Sequence, residues 1–374
     1  MRYFIVSGEA SGDLHGANLV KSIKHFDKQA EFRFWGGDLM TETIGEKPLK
    51  HIKELAFMGF SEVLKNISTI FKNIKLCKTQ IVDYQPDVVI MIDYPGFNLR
   101  IAEYVKKQGF KVFYYISPTV WAWKENRVKK IKAFVDEMFV ILPFEEAFYK
   151  KHDYKVNYLG HPLLDAIEQY NEGVKPSLEI FKETYRLDDR PIIALLPGSR
   201  VQEIKIKLPI MLDLVDLYPN YQFVVSVAPT LSLEFVQEVA KEKDVKFVVN
   251  KTYDLLSHAY AGLITSGTAT LETALFKVPQ VVCYKGNAAS FQIAKRIVSV
   301  KYISLVNLIL DKEVVTELIQ NDLTKENLKQ ELDKILDIEH RKKLAQDYQS
   351  LEDILGGYGA SERIAKIMVE KLKS

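Results

Sequence analysis

Four short segments carry residue types suited to chemistry, and each follows an apolar run. Val89-Ile90-Met91-Ile92-Asp93-Tyr94-Pro95-Gly96-Phe97-Asn98 delivers a carboxylate at the end of a stretch without polar residues. Such an Asp can take a proton if burial or a neighbouring charge tunes its pKa. It can equally cap a helix beginning near Asn98. Leu195-Leu196-Pro197-Gly198-Ser199-Arg200 presents an Arg just past a Pro-Gly turn. A guanidinium stays charged and donates bidentate hydrogen bonds, which suits a diphosphate, although a surface pair with Glu203 is the competing reading. Ile264-Thr265-Ser266-Gly267-Thr268-Ala269-Thr270-Leu271-Glu272 runs small hydroxyl residues into a helix. That start offers free N–H groups and a positive dipole end to a phosphate, with Glu272 one turn inside where it can accept from ribose hydroxyls. The simple alternative is a helix cap followed by an early acid. Ser7-Gly8-Glu9-Ala10-Ser11-Gly12-Asp13 has glycines for close backbone approach, or is a tight turn capped by Ser11 or Asp13. It lacks the spacing of the dinucleotide, P-loop and nucleophile-elbow motifs.

Parallel strands are the elements that position such residues. Short β-rich runs at 3–6, 32–35, 88–92, 112–116 and 138–142 alternate with helix-patterned segments, and the series restarts at 192–196, 223–227, 246–249, 262–265 and 280–283. Runs apolar throughout predict strands buried on both faces, and the alternation predicts parallel sheets with right-handed crossovers. The expected fold class is α/β, with two doubly wound parallel-sheet domains facing a cleft and helices at the C-terminus. The polar, Gly- and Pro-punctuated stretch after His161 separates them. Expected extents are 1–165 for the first domain, 166–345 for the second, and 346–374 for C-terminal helices packing back on the first.

Composition narrows the function classes. With 51 Lys plus Arg against 49 Asp plus Glu the net charge is +2, which gives no footprint for general nucleic-acid binding. At 47% hydrophobic and 27% charged residues the chain is not of disordered type. Two cysteines, Cys77 and Cys283, exclude a disulfide framework, and seven scattered histidines predict no metal site. His161, between Gly160 and Pro162, reads as a hinge residue held by backbone. No apolar run is long enough for a membrane span or a signal peptide, so a cytoplasmic chain is expected. One segment complicates this. Phe60, Val63, Leu64, Ile67, Ile70, Phe71, Ile74, Ile81 and Val82 form an apolar arc beside Lys65, Lys72 and Lys75, preceded by Phe57-Met58. It fits a membrane interface or acyl-chain pocket, or ordinary packing on the sheet. Trp121 and Trp123 next to Lys124, Arg127, Lys129, Lys130 and Lys132 make a second basic-aromatic cluster.

In their order, residues 7–13 (SGEASGD), 58–64 (MGFSEVL), 92–98 (IDYPGFN), 117–123 (SPTVWAW), 142–144 (LPF), 160–162 (GHP), 195–200 (LLPGSR), 266–272 (SGTATLE) and 304–307 (SLVN) resemble the lipid-A-disaccharide synthases, inverting glycosyltransferases of GT-B type. The resemblance implies transfer of 2,3-diacylglucosamine from its UDP derivative to the 6-hydroxyl of 2,3-diacylglucosamine 1-phosphate. The products are a β-1,6 disaccharide of lipid A biosynthesis and UDP, with no cofactor and no metal. It implies Asp93 as base, Arg200 with Ser266, Gly267 and Thr268 at the diphosphate, and Glu272 and Asn307 at the UDP part. Glu9, Ser11 and Asp13 would line the acceptor side. Phe57, Met58, Phe60, Leu64, Ile67, Phe71, Trp121 and Trp123 would face lipid, on a chain peripheral to the cytoplasmic face of an inner membrane. A homodimer is left open. The family loop after the base usually reads APDFN; here Tyr94 to Asn98 lacks its acid, which narrows the base to Asp93. Rival readings are an enzyme like UDP-N-acetylglucosamine 2-epimerase, a soluble-acceptor glycosyltransferase, and a non-catalytic nucleotide sensor.

Overall fold

The computed structural model describes residues 1–55, 67–241, 243–287, 291 and 300–373. The chain divides into two compact units, Met1–Gln169 with Leu355–Ser374, and Tyr170–Ile354.

Unit 1 holds a seven-stranded sheet in the order β3-β2-β1-β4-β5-β6-β7, with every pair parallel. The strands are β1 (Arg2–Ser7), β2 (Glu31–Gly36), β3 (Lys50–His51), β4 (Val88–Ile92), β5 (Lys111–Tyr115), β6 (Glu137–Val140) and β7 (Asn157–Tyr158). All five residues of β4 are buried, as a strand covered by helices on both faces requires. One face packs Ile74, Cys77 and Ile81 of helix Ile67–Tyr84 with Ile101 and Val105 of helix Pro95–Lys107. The other packs Leu19, Val20 and Ile23 of helix Ala10–Phe26 with Ile364, Ala365, Met368 and Val369 of helix Ala360–Lys373.

That last helix is tied into unit 1 by polar groups as well. The Asp165 carboxylate accepts from the N–H groups of Gly359, Ala360 and Ser361 at 2.7, 3.1 and 2.7 Å, which satisfies three otherwise unpaired donors. Gly160 has φ +103, and a Cβ there would lie 3.3 Å from that of Ala360. Only glycine allows this backbone approach. His161 is buried; its Nδ1 accepts from the Leu163 N–H at 3.1 Å, and burial, followed by the charge of His15, pulls its pKa to about 3. The returning segment begins at Leu355 rather than at 346, because helix Ile338–Ile354 buries Leu344, Tyr348 and Leu351 in unit 2.

Unit 2 holds a six-stranded parallel sheet ordered β10-β9-β8-β11-β12-β13. Its strands are β8 (Ile192–Leu196), β9 (Gln222–Val227), β10 (Val245–Val249), β11 (Ala259–Thr265), β12 (Gln280–Tyr284) and β13 (Glu317–Ile319). The apolar runs read from the sequence coincide with the long strands of both sheets. The short strands β3, β7 and β13 lie at or beside sheet edges and carry no such run.

Candidate functional site

Ligands of open parallel sheets bind beyond the carboxyl ends of the strands where the strand order reverses. In unit 1 that point lies between β1 and β4, and in unit 2 between β8 and β11. The four segments singled out by residue type follow these four strands.

In unit 1, β1 leads through Ser7, Gly8 and Glu9 into helix Ala10–Phe26, and β4 leads into Asp93. Asp93 and Tyr94 both have left-handed backbone, φ +43 and +50, and Ile116 after β5 has φ +64. Such conformations are uncommon outside glycine and cost roughly 1–3 kcal/mol each, so neighbouring structure must hold them. Here Asn98 Nδ2 and the Tyr114 hydroxyl donate to the Asp93 carbonyl at 2.7 and 2.6 Å. The Tyr94 ring stacks on Phe97 and lies against Gly8, where a Cβ would fall 2.5 Å from it. Burial, then the charge of Glu9, pushes the Asp93 carboxyl up to about 7. A carboxyl so tuned exchanges its proton near neutral pH.

The sequence reading missed Glu145, the second residue of helix Phe144–Lys150 after β6. Its Oε2 accepts from the N–H groups of Ile141 and Leu142 at 3.2 and 2.9 Å, and burial pushes it to about 7, with a smaller contribution from Asp93. A carboxylate directly after the LPF string was the available signal.

One of the expected acceptor-side residues is placed otherwise. Asp13 points inward, 3% exposed, and accepts from the N–H groups of Gly37, Leu39 and Met40 at 2.6, 3.0 and 3.2 Å. Its carboxylate thus anchors helix Asp38–Ile44 rather than facing a ligand. Ser11 is exposed in the first turn of its helix and does not cap it.

In unit 2, β8 leads into Pro197-Gly198-Ser199-Arg200, and Arg200 is the N-cap of helix Val201–Leu212. Gly198 has φ +128 and lies against Glu203, whose Oε2 accepts the Ser199 N–H at 3.1 Å. The Arg200 guanidinium is 4.0 Å from Glu203 Oε1 and more than half exposed. After β11, Gly267 at φ +129 opens helix Thr268–Leu275 with no side-chain cap, and Gly267 and Thr268 are exposed. Positive charge and unsatisfied amides therefore share this edge. Ser266 donates to the Ile303 carbonyl at 2.9 Å. Glu272 is partly covered; Tyr253 donates to it at 3.0 Å, and burial raises its pKa.

Asn307, expected at the UDP part, is fully buried with its amide committed internally. Nδ2 donates to the Val315 carbonyl and Glu317, and Oδ1 accepts from the N–H groups of Val314 and Val315, all between 2.8 and 3.0 Å. It shapes the turn after helix Leu305–Leu310 instead of meeting a ligand. The second residue missed from the sequence is Lys207, 2% exposed, whose ammonium donates to Thr265 Oγ1 at the end of β11. Ile204, Leu208 and Met211 are buried on the same helix, and that arc already included position 207.

Of the lipid-facing candidates, Phe57, Met58, Phe60 and Leu64 lie outside the described residues, as does the side chain of Ile67. Phe71 is 57% exposed with the Arg100 guanidinium 5.8 Å from its ring. Trp123 is 39% exposed, with Lys124 Nζ 4.1 Å and the Arg127 guanidinium 5.5 Å from its ring. Trp121 instead packs edge-on against Phe144. The apolar arc divides: Ile74 and Ile81 are core, whereas Phe71 is outside it. Among the described residues no helix is long and apolar enough to cross a membrane, and no cluster of three or more His, Cys, Asp or Glu could hold a metal ion.

Residues 3–368 match a family model described as Lipid-A-disaccharide synthetase. Similar curated proteins include the lipid-A-disaccharide synthase of Trichlorobacter lovleyi, 38% identical over 100% of this chain and 98% of that protein. The Coxiella burnetii protein of that name is 36% identical over 97% and 96%. Solved structures share the fold at low identity. The S. aureus MnaA–UDP co-structure has TM-score 0.71 at 15% identity, covering 100% of this chain and 97% of that one. The Neisseria meningitidis UDP-GlcNAc 2-epimerase bound to UDP-GlcNAc has TM-score 0.66 at 14% identity, covering 100% and 99%.

Proposed function

The chain belongs to the lipid-A-disaccharide synthase family, and on that premise we propose how its two strand edges divide one inverting sugar transfer. The enzyme is a glycosyltransferase of lipid A biosynthesis. It joins 2,3-diacylglucosamine, supplied as the UDP derivative, to 2,3-diacylglucosamine 1-phosphate in β-1,6 linkage and releases UDP.

Asp93 is the general base, and the observation that carries this is its tuned carboxyl at the strand reversal of unit 1. It takes the proton of the acceptor hydroxyl as that oxygen attacks the anomeric carbon opposite the departing UDP. Glu9 lies on the acceptor side and keeps Asp93 basic. In unit 2, Arg200 and the amides at Gly267 and Thr268 receive the negative charge that grows on the diphosphate when the glycosidic bond breaks. Glu272, held by Tyr253, accepts from the ribose hydroxyls. The donor is thus a nucleotide sugar seated on unit 2.

The exposed aromatic-cation pairs Phe71–Arg100 and Trp123–Lys124–Arg127 support a peripheral membrane role, because Trp beside basic groups suits an anionic lipid surface. The site of action is the cytoplasmic face of the inner membrane, where both lipid substrates are reached from its surface.

The test incubates the protein with UDP-2,3-diacylglucosamine and 2,3-diacylglucosamine 1-phosphate and follows the disaccharide by mass spectrometry. Product whose formation collapses in Asp93→Asn is expected. Turnover of UDP-N-acetylglucosamine alone, with no disaccharide, overturns the assignment in favour of an epimerase.

A further inference from the structure

Helix Val201–Leu212 buries a lysine where its neighbours are apolar. Ile204, Leu208 and Met211 are inside, and so is Lys207, 2% exposed. An ammonium removed from water costs several kcal/mol unless charge and hydrogen bonds compensate. Its partners lie on both sides of the strand reversal. Nζ donates to Thr265 Oγ1, the last residue of β11, and lies 3.9 Å from Glu203 Oε1, one turn back on its own helix.

Glu203 is the hub of this corner. It accepts the Ser199 N–H, closes against Gly198, and sits 4.0 Å from Arg200. Its carboxylate thus stands inside the seat that takes an anion. Uncompensated, it would repel a diphosphate and hold Arg200 for itself.

We propose that Lys207 is a positioning residue that neutralises Glu203 from beneath, leaving Arg200 to bind the diphosphate of the nucleotide sugar. This rests on the nucleotide seat assigned above to unit 2. By holding Thr265, the same ammonium keeps the end of β11, and the Gly267 turn after it, in register with the Ser199–Arg200 turn. Burial lowers the proton affinity of Lys207; the charge of Glu203 offsets this in part, with Cys283 adding to Glu203 and Arg200 opposing it.

The test is a double-mutant cycle on the full chain, read by calorimetric titration with UDP and by KM against kcat for the UDP-sugar. Lys207→Met should weaken UDP binding on the order of tenfold to a hundredfold and raise KM more than it lowers kcat. Lys207→Arg keeps the charge and should stay within a few-fold of wild type. Lys205→Met, at an exposed lysine on the same helix, should change nothing. The deciding variant is Lys207→Met with Glu203→Gln: removing the stranded carboxylate should restore most of the UDP affinity. A lysine that merely filled space would give no such rescue, and a double variant as weak as Lys207→Met overturns the proposal. UDP binding equal in wild type and Lys207→Met overturns this proposal alone. Wild-type protein that fails to bind UDP overturns the underlying nucleotide seat with it.

Discussion

The strand reversals of the two units are alike in topology and opposite in charge. Beyond the strand ends of unit 1, carboxyls gather: Asp93 after β4 and Glu145 after β6 are each pushed to about 7, and Glu9 after β1 adds to Asp93. At the β8–β11 edge of unit 2, cations and free amides gather around Arg200, Lys207 and the start of helix Thr268–Leu275. On the proposed function, one backbone plan serves two tasks. Crowded, desolvated acids bind a proton more tightly than ordinary carboxyls, exchange it near neutrality, and once ionised are strong enough bases to take one from a hydroxyl. An exposed guanidinium beside a helix N-terminus can accept the negative charge of a leaving group. The side chains after each strand, rather than the sheet, decide which.

The hardest test of this contrast is Asp93→Asn, expected to lower kcat by about 10²–10⁴-fold. In wild type, kcat/KM should rise through about pH 7 as Asp93 loses its proton, and the variant should lose that limb. The sign of its stability effect is opposite. A carboxyl with a raised folded-state pKa stabilises below its unfolded pKa, and this contribution fades as pH rises through about 7. The variant should therefore melt higher than wild type at pH 8, by less at pH 5, and similarly only below about pH 4, where the unfolded carboxyl is protonated too. Near-normal turnover in Asp93→Asn would remove the proton-taking role from unit 1. Arg200→Ala probes the other edge, with a loss of about 10²–10³-fold in kcat and a pH limb unmoved from wild type. A shifted limb would show that the two edges are not separate in function. Asp13→Ala should cost about 1–3 kcal/mol, seen as a lowered denaturation midpoint, because three backbone N–H groups, two of them buried, lose their acceptor. A large rate loss without destabilisation would return Asp13 to the acceptor side. Glu9→Gln removes a negative charge beside Asp93, so the limb should move to lower pH; movement to higher pH contradicts the coupling. Excess EDTA should leave the rate unchanged, since protein cations serve the diphosphate, and strict dependence on an added divalent ion would break the charge assignment for unit 2.

Much of the fold was legible because its signal is local. Val88–Ile92 and Ile192–Leu196 are apolar throughout, and burial on both faces leaves no other pattern. The short strands β3, β7 and β13 have no local signal, since two or three residues are recruited by a neighbour's unpaired backbone. Asp93 and Arg200 were legible as the first strong functional groups after buried strands. Asp13 and Asn307 were read by the same logic and sit differently. Each meets a set of backbone N–H groups or carbonyls brought from elsewhere in the chain, and a buried amide or carboxylate goes where its hydrogen bonds are satisfied. Lys207 escaped notice for the complementary reason. Lysines on amphipathic helices normally face water, and only Thr265 and Glu203 together make its burial tolerable.

The sequence by itself determined the family, the two parallel sheets and the placement of the chemistry after particular strands, because apolar runs and turn residues act over a few positions. The tertiary structure alone decided which of those side chains look outward and which are consumed within, and how far Asp93 and Glu145 shift from ordinary carboxyls. Direction and pKa depend on groups distant in the chain, and no spacing along it records what folding brings within a few ångströms.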